Sequence, residues 1–331
     1  TLGFMPGIGV GLLLCVALFT WSYSKLPIVR MRGDMSVLKS RIDRSREVEE
    51  KLSRWGEQAY GLELQGYLFF ATAGRLSKLT EELLMSEDGR PRRFVILDFR
   101  RVMDVDSSVV TNLLKLRNRC EAQGTVLLFA EASERVLDRM YKGGLPSSSE
   151  GGVRYFNSFD GGLEWCEEKL LGSEQELEID LLSYLSKLGV PAEHVGQVAA
   201  CFFEQEIKEG EFLCRRGDES TTVFLVGSGR IRASLQQADG SSLRLRSMVS
   251  GAFVGEAAFF SGGGRTADLV AERDSRLFSL SHDTLVSLEN PELVRLLYGI
   301  VGRSLASKLG PANTLLEAAT GEHKDAANLL R

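Results

Sequence analysis

The chain is short of the residues that build catalytic and metal sites. Its 331 residues include only three histidines, His194, His282 and His323, scattered and without a partner motif, which argues against a histidine-based metal or catalytic cluster. The five cysteines, Cys15, Cys120, Cys166, Cys201 and Cys214, are odd in number and lack any CxxC spacing. They read as reduced intracellular thiols rather than a zinc site or a disulfide frame. No nucleophile with a nearby base, no kinase signature and no cofactor fingerprint occurs, so an enzyme is the weakest reading, and no cofactor is required. Positive charge is not in excess either: the net charge is -5, which argues against a protein that coats nucleic acid. A DNA reader would also need a helix-turn-helix beyond the last helix, where only residues 311–331 remain. No nucleic-acid partner is expected.

Side-chain charge is missing altogether from Thr1 to Ser24, and GIGVGLLLCVALFTW within it is apolar. About 20 helical residues rising ~1.5 Å each cross a hydrocarbon layer of roughly 30 Å, so residues 1–24 are expected to form a transmembrane helix. Trp21 and Tyr23 fit an aromatic belt, and Lys25, Arg30 and Arg32 follow at once. The positive-inside bias then predicts a membrane protein whose residues after about 25 are cytoplasmic. A start so close to the apolar run reads as the tail end of a longer membrane protein. Residues 25–56, dense in both signs of charge, are expected to be a juxtamembrane linker that turns helical near its end.

From 57 to 171 strand and helix signals alternate. YGLELQGYLFF reads as a strand kinked at Gly66, RRFVILDFRRV as a strand with a buried centre, and TVLLFAE and GVRYFN as further strands, the last at an edge. Helical spacing falls between them, which implies one α/β domain with a central sheet and covering helices. LELQGYLFF followed by a helix, then FVILDFRRVMDVDSS leading into a second helix, resembles the STAS domain, shared by anti-sigma factor antagonists and the tails of SulP sulfate permease family anion transporters. The apolar helix and charged linker before it resemble the last membrane helix and post-membrane segment of those transporters. At the strand-to-helix corner, Asp106 or Ser107 can cap the helix with a side-chain oxygen. The resemblance adds a second role for Ser107, because soluble antagonists are phosphorylated on the serine after such an aspartate, and phosphate there would meet the positive end of the helix.

After a linker at 172–178 that runs into an amphipathic leading helix, the pattern turns all-β from Phe202. Over 179–310, short runs (FLCRR, TVFLVGSG, RIRASLQ, LRLRSMV) are punctuated by Gly210, Gly217, Gly229, Gly240 and Gly251, which predicts a jelly-roll-like β barrel with flanking helices. NPELVRLLYGIVGRSLASKL reads as an amphipathic helix, and 311–331 as a tail.

Within the barrel lies GEAAFFSGGGRTA, residues 255–267. Backbone N–H groups of a short glycine-containing turn form a concave donor site for an anion, and an arginine adds a fork that matches phosphate oxygens. Glu256 beside such a site would repel phosphate unless it faces a ligand hydroxyl. The stretch resembles the phosphate-binding cassette of the cyclic nucleotide-binding domain, and EGEFLCRRGD and VFLVGSGRIR extend the likeness. The resemblance implies Arg265 on the cyclic phosphate, Glu256 on the ribose 2′-hydroxyl, and a lining from Gly255, Ala257, Thr266 and Ala267. Two positions depart from it: Val254 stands where an aromatic residue usually precedes Gly-Glu, and Gly264 replaces the usual proline. The ligand, cAMP or cGMP, stays open.

The expected whole is multidomain: a transmembrane helix, an α/β STAS domain and a β-barrel cyclic nucleotide-binding domain. The function it implies is the regulatory end of a SulP-type anion transporter, with the membrane, the rest of the transporter's membrane domain and a cyclic nucleotide as partners, and a second copy of the chain left open. The alternative is a membrane-anchored signalling protein in which the STAS domain binds a partner under nucleotide control. Coupling in either case requires that the nucleotide bind two conformations with different affinity.

Overall fold

The computed structural model describes residues 4–24, 27–86, 88–148, 152–172, 178–219, 221–237 and 239–308. The expected tail at 311–331, positions 173–177 of the expected linker, and the ends 1–3, 25–26 and 309–310 of the expected segments lie outside the described residues. The chain divides into two compact units, Thr1–Ser40 with Leu52–Leu170, and Arg41–Lys51 with Leu171–Arg331. The charged stretch expected as a linker thus supplies structure: β1 (Val29–Asp34) to the first unit, and β2 (Ile42–Asp43) with the start of α2 (Arg46–Arg54) to the second.

One expectation is overturned at the N-terminus. The apolar run forms α1 (Phe4–Ser24), yet among the described residues no helix is long and apolar enough to cross a membrane. The transmembrane helix, the membrane location with a cytoplasmic remainder, and the partnership with a membrane and a transporter's membrane domain are withdrawn with it.

The first unit is a five-stranded sheet in the order β1-β3-β4-β5-β6, formed by β3 (Ala59–Leu68), β4 (Phe94–Val105), β5 (Val126–Ala130) and β6 (Val153–Phe156) after β1. Strands β3 to β6 run parallel, and β1 closes one edge antiparallel to β3. Parallel neighbours need crossovers, which are supplied by α3 (Phe70–Leu83), α4 (Ser107–Gln123) and α5 (Glu134–Lys142), with α6 (Phe159–Leu171) following β6. In β4 the residues Val95, Ile96 and Leu97 are all fully buried, as expected where both faces of a strand are covered. Val95 and Leu97 join the core that α3 and α4 close, and Ile96 lies against α6 at Gly162. Gly124 ends α4 in the left-handed conformation at φ 72°, so β5 can begin at once.

The second unit is a seven-stranded mixed sheet rolled around an apolar interior. Its main path runs β2-β10-β9-β12-β7, where β7 is Phe203–Ile207, β9 Thr222–Gln236, β10 Ser242–Val249 and β12 Asp268–Ser281. Two short strands join it, β8 (Phe212–Cys214) on β12 and β11 (Phe253–Val254) on β9. The segments TVFLVGSG and RIRASLQ, expected as separate strands, form the single 15-residue β9. Gly229 lies inside it at φ 85°, where a Cβ would stand 2.5 Å from the Asp274 carbonyl. The glycine therefore bends a continuous ladder instead of ending a strand. Phe224, Val226, Ile231, Met248 and Leu277 fill the interior. A second cluster joins the barrel to α7 (Leu181–Lys187), α8 (Ala192–Ala199), α10 (His282–Ser287) and α11 (291–308), through Leu185, Val198, Leu285 and Leu297.

Candidate functional site

The glycine-rich stretch leaves the barrel between β11 and β12. Val254, buried inside the barrel, is the last residue of β11, and Gly255 then takes the left-handed conformation at φ 85°. Gly255 opens α9 (Glu256–Ser261), a helix of six residues closed by Gly262 in the same conformation at φ 65°. The chain then reaches Arg265 through Gly263 and Gly264 before β12 begins at Asp268. Arg265 is fixed by its own backbone: its N–H donates to the Asp218 carbonyl at 2.9 Å, and its carbonyl accepts from the Gly217 N–H at 2.8 Å. The Cys-Arg-Arg-Gly-Asp turn after β8 thus clamps the arginine from below.

The Arg265 side chain is 6% exposed and folds back over the turn. Its Nη2 donates to the Thr222 carbonyl at 2.6 Å and its Nη1 to the Gly255 carbonyl at 3.2 Å, while the guanidinium centre lies 5.4 Å from the Phe224 ring centre. Nε has no hydrogen-bond partner among the described residues. No carboxylate lies within ion-pair distance of Arg265 among them either. Burial pulls the guanidinium below its ordinary pKa, opposed by Cys214, Asp218 and Glu256 nearby. A buried arginine held by two backbone carbonyls, with Nε unpartnered, has the donor chemistry to take an anion.

Glu256 is also 6% exposed, and its Oε1 lies 2.7 Å from Lys308 Nζ, which comes from the end of α11. The same ammonium donates to the Phe253 carbonyl at 2.7 Å and pairs with Asp43 Oδ2 at 3.1 Å. Neither Lys308 nor Asp43 was singled out by sequence reasoning, since each lies far along the chain in an ordinary charged or amphipathic stretch. Of the expected lining, Ala257 and Thr266 are exposed, whereas Ala267 is buried. The structure therefore brings Gly255, Glu256 and Arg265 into one loop.

Ser107 is placed elsewhere, in the first unit. Asp106 is the residue that caps α4, accepting the Val109 N–H on Oδ1 at 3.0 Å, and its Oδ2 accepts the Phe70 N–H at the start of α3 at 2.8 Å. One carboxylate thus serves two helices, and Ser107 is left exposed as the first residue of α4. Among the described residues no group of three or more His, Cys, Asp or Glu side chains is placed to hold a metal ion.

Comparison with known proteins decides the domain assignment. Residues 57–160 match the STAS domain, and residues 204–290 match the cyclic nucleotide-binding domain. The chain carries both domains, in that order. The second match is to a nucleotide-binding module. Among curated proteins, the vacuolar basic amino acid transporter VSB1 of Saccharomyces cerevisiae is 29% identical over 180 residues, 53% of this chain and 17% of that protein. Patatin-like phospholipase domain-containing protein 7 of Rattus norvegicus is 28% identical over 106 residues, 31% of this chain and 8% of that protein. The chain therefore matches only a small part of either relative. Among solved structures, a cyclic nucleotide-binding domain from Methylobacillus flagellatus KT is 19% identical, covering 39% of this chain and 76% of that one with a TM-score of 0.36.

Proposed function

We propose that this chain is a regulatory segment in which the second unit binds a cyclic nucleotide, cAMP or cGMP, and its occupancy sets what the STAS domain does. Arg265 takes the cyclic phosphate, Glu256 accepts a hydrogen bond from the ribose 2′-hydroxyl, and Gly255, Ala257, Thr266 and Ala267 line the pocket. The observation that carries the reading is the pairing of a buried arginine without a carboxylate partner and a buried glutamate in one glycine-framed loop. Phosphate supplies the missing counter-ion, and the hydroxyl gives the carboxylate a donor from the ligand beside the one it has in Lys308. Each charge-assisted hydrogen bond of this kind contributes about 1.5–3 kcal/mol.

A narrower form of the reading has the segment regulate an anion transport protein of the sulfate permease type. It is supported by the order of the two domains and by the likeness to a yeast protein named as a transporter of basic amino acids, which bears on transport and not on the anion. It makes no claim that this chain crosses a membrane.

Thermal unfolding tests the nucleotide reading. A ligand that binds only the folded state at 100 times its Kd stabilises by about 2.7 kcal/mol. cAMP or cGMP is expected to raise the Tm of the second unit's transition while 5′-AMP, which lacks the cyclic phosphate, leaves it in place. No shift with either cyclic nucleotide at millimolar concentration would remove the reading.

A further inference from the structure

Glu256, the carboxylate assigned to the ribose, is already held in this structure, and by a residue that also holds a distant segment of the chain. Lys308 Nζ lies 2.7 Å from Glu256 Oε1, donates to the Phe253 carbonyl at 2.7 Å, and stands 3.1 Å from Asp43 Oδ2 as a charge contact without hydrogen-bond alignment. The two carboxylates differ in what else they have. Asp43, 4% exposed, also pairs with Arg246, whereas Lys308 is the cation paired with Glu256 among the described residues.

We propose that Lys308 competes with the nucleotide's ribose hydroxyl for Glu256, and that its second anchor, Asp43, makes residues 41–51 the segment that reads the outcome. This rests on the nucleotide assignment of the same site. A carboxylate bound to an ammonium at 2.7 Å offers a hydroxyl donor less than a free one does, so Lys308 lowers affinity in proportion to the strength of its pair. When the hydroxyl takes Glu256, Lys308 keeps Phe253 and Asp43, and the ammonium is never left without partners. The change is a redistribution between two buried carboxylates, one from the ligand loop and one from β2.

The second half of the proposal follows from how β2 is held. It is a two-residue strand, Ile42–Asp43, paired in parallel with Ser247 and Met248 of β10 and extended by the Ser247 N–H donating to the Arg41 carbonyl at 2.9 Å. So short a ladder leaves the hold on the segment to side chains, the buried run from Ile42 to Ser45 and the Glu47–Lys187 pair, with the Asp43 ion pairs among them. In sequence, residues 41–51 interrupt the first unit between Ser40 and Leu52, so both ends of the segment continue directly into that unit. A change in the hold on Asp43 therefore reaches the STAS-containing unit through the covalent chain.

The test uses the full chain with three forms: wild type, Lys308→Met and Lys308→Arg. cAMP and cGMP are titrated into each by calorimetry, and hydrogen exchange of residues 41–49 is followed without nucleotide. Lys308→Met is expected to tighten nucleotide binding about tenfold and to speed exchange in 41–49 at least threefold, with Lys308→Arg close to wild type in both. Affinity of Lys308→Met within twofold of wild type overturns the competition while the nucleotide assignment stands; weaker binding also overturns it, and makes Lys308 a direct ligand contact. If none of the three forms binds either nucleotide, the assignment of the site fails and the competition fails with it. Unchanged exchange in 41–49 overturns the role of Asp43 as the second anchor in every case.

Discussion

Gly255 and Arg265 meet across the loop they bracket: Arg265 Nη1 donates to the Gly255 carbonyl at 3.2 Å, and a Cβ placed on Gly255 would run into that same nitrogen, with Cζ 3.1 Å away. The glycine is thus required twice, once for its left-handed φ of 85° and once for the space the guanidinium occupies. Gly255→Ala is expected to cost about 1–3 kcal/mol from backbone strain alone and to displace Arg265 from its place over the turn. Chemical denaturation measures the first effect, and loss of nucleotide binding the second. An alanine variant with wild-type stability and binding would mean that the loop is not held as described.

The role of Glu256 is separable from that of Arg265 by changing the ligand. Glu256→Gln is expected to weaken cAMP about tenfold or more, the equivalent of a charge-assisted hydrogen bond. The 2′-deoxy analogue, which has no hydroxyl to lose, should bind the variant and the wild type alike. Equal losses for both ligands would remove the ribose contact.

Asp106 carries two helix starts, so its replacement is expected to cost more than an ordinary cap. Asp106→Ala leaves the Val109 and Phe70 N–H groups without their acceptors and should destabilise the first unit by roughly 1–3 kcal/mol in urea unfolding. Ser107→Ala, at an exposed neighbour, should stay within about 0.5 kcal/mol. We propose Ser107 as a site where phosphate would meet the positive end of α4; incubation with a serine kinase followed by mass mapping tests its accessibility.

Asp98, at the centre of β4 and 0% exposed, has its pKa raised chiefly by burial, with Glu131 and Glu63 adding to the rise and Arg100 opposing it. For an acid whose folded pKa lies above its unfolded one, the stabilising contribution is complete below the unfolded value and lost as pH rises through the folded value. Asp98→Asn should therefore flatten the fall in the first unit's stability on going from about pH 4 toward neutrality. At pH 7 it should be no less stable than wild type, because Arg100 keeps Glu131 at 3.6 Å. A variant that is several kcal/mol weaker at pH 7 would show that the charged form is what the fold needs.

Much of the fold is legible in the sequence because its signals are local. Strand β4 shows its buried centre in FVIL, α4 shows its end in Gly124, and the ligand loop shows Gly255, Glu256 and Arg265 within a few residues. The signals fail where local pattern and three-dimensional role diverge. Gly229 reads as a strand end but bends a strand that continues, since the residues on both sides keep their ladder with β12. Ile42 and Asp43 lie in a charged stretch without periodicity, and only the unpaired edge of β10 makes them a strand. Lys308 is an ordinary lysine at the end of an amphipathic helix; its meaning comes from the two carboxylates it meets, Asp43 and Glu256. The uncharged run at 1–24 reads as a membrane span on composition alone, and among the described residues no helix is long and apolar enough to cross a membrane.

The most direct test of the account is calorimetric titration of cAMP and of cGMP into the full chain, wild type beside Arg265→Ala. The account predicts saturable binding of at least one of them at one site per chain, lost or weakened at least a hundredfold in the variant. Binding of equal strength in both proteins, or none in the wild type at millimolar nucleotide, would contradict it.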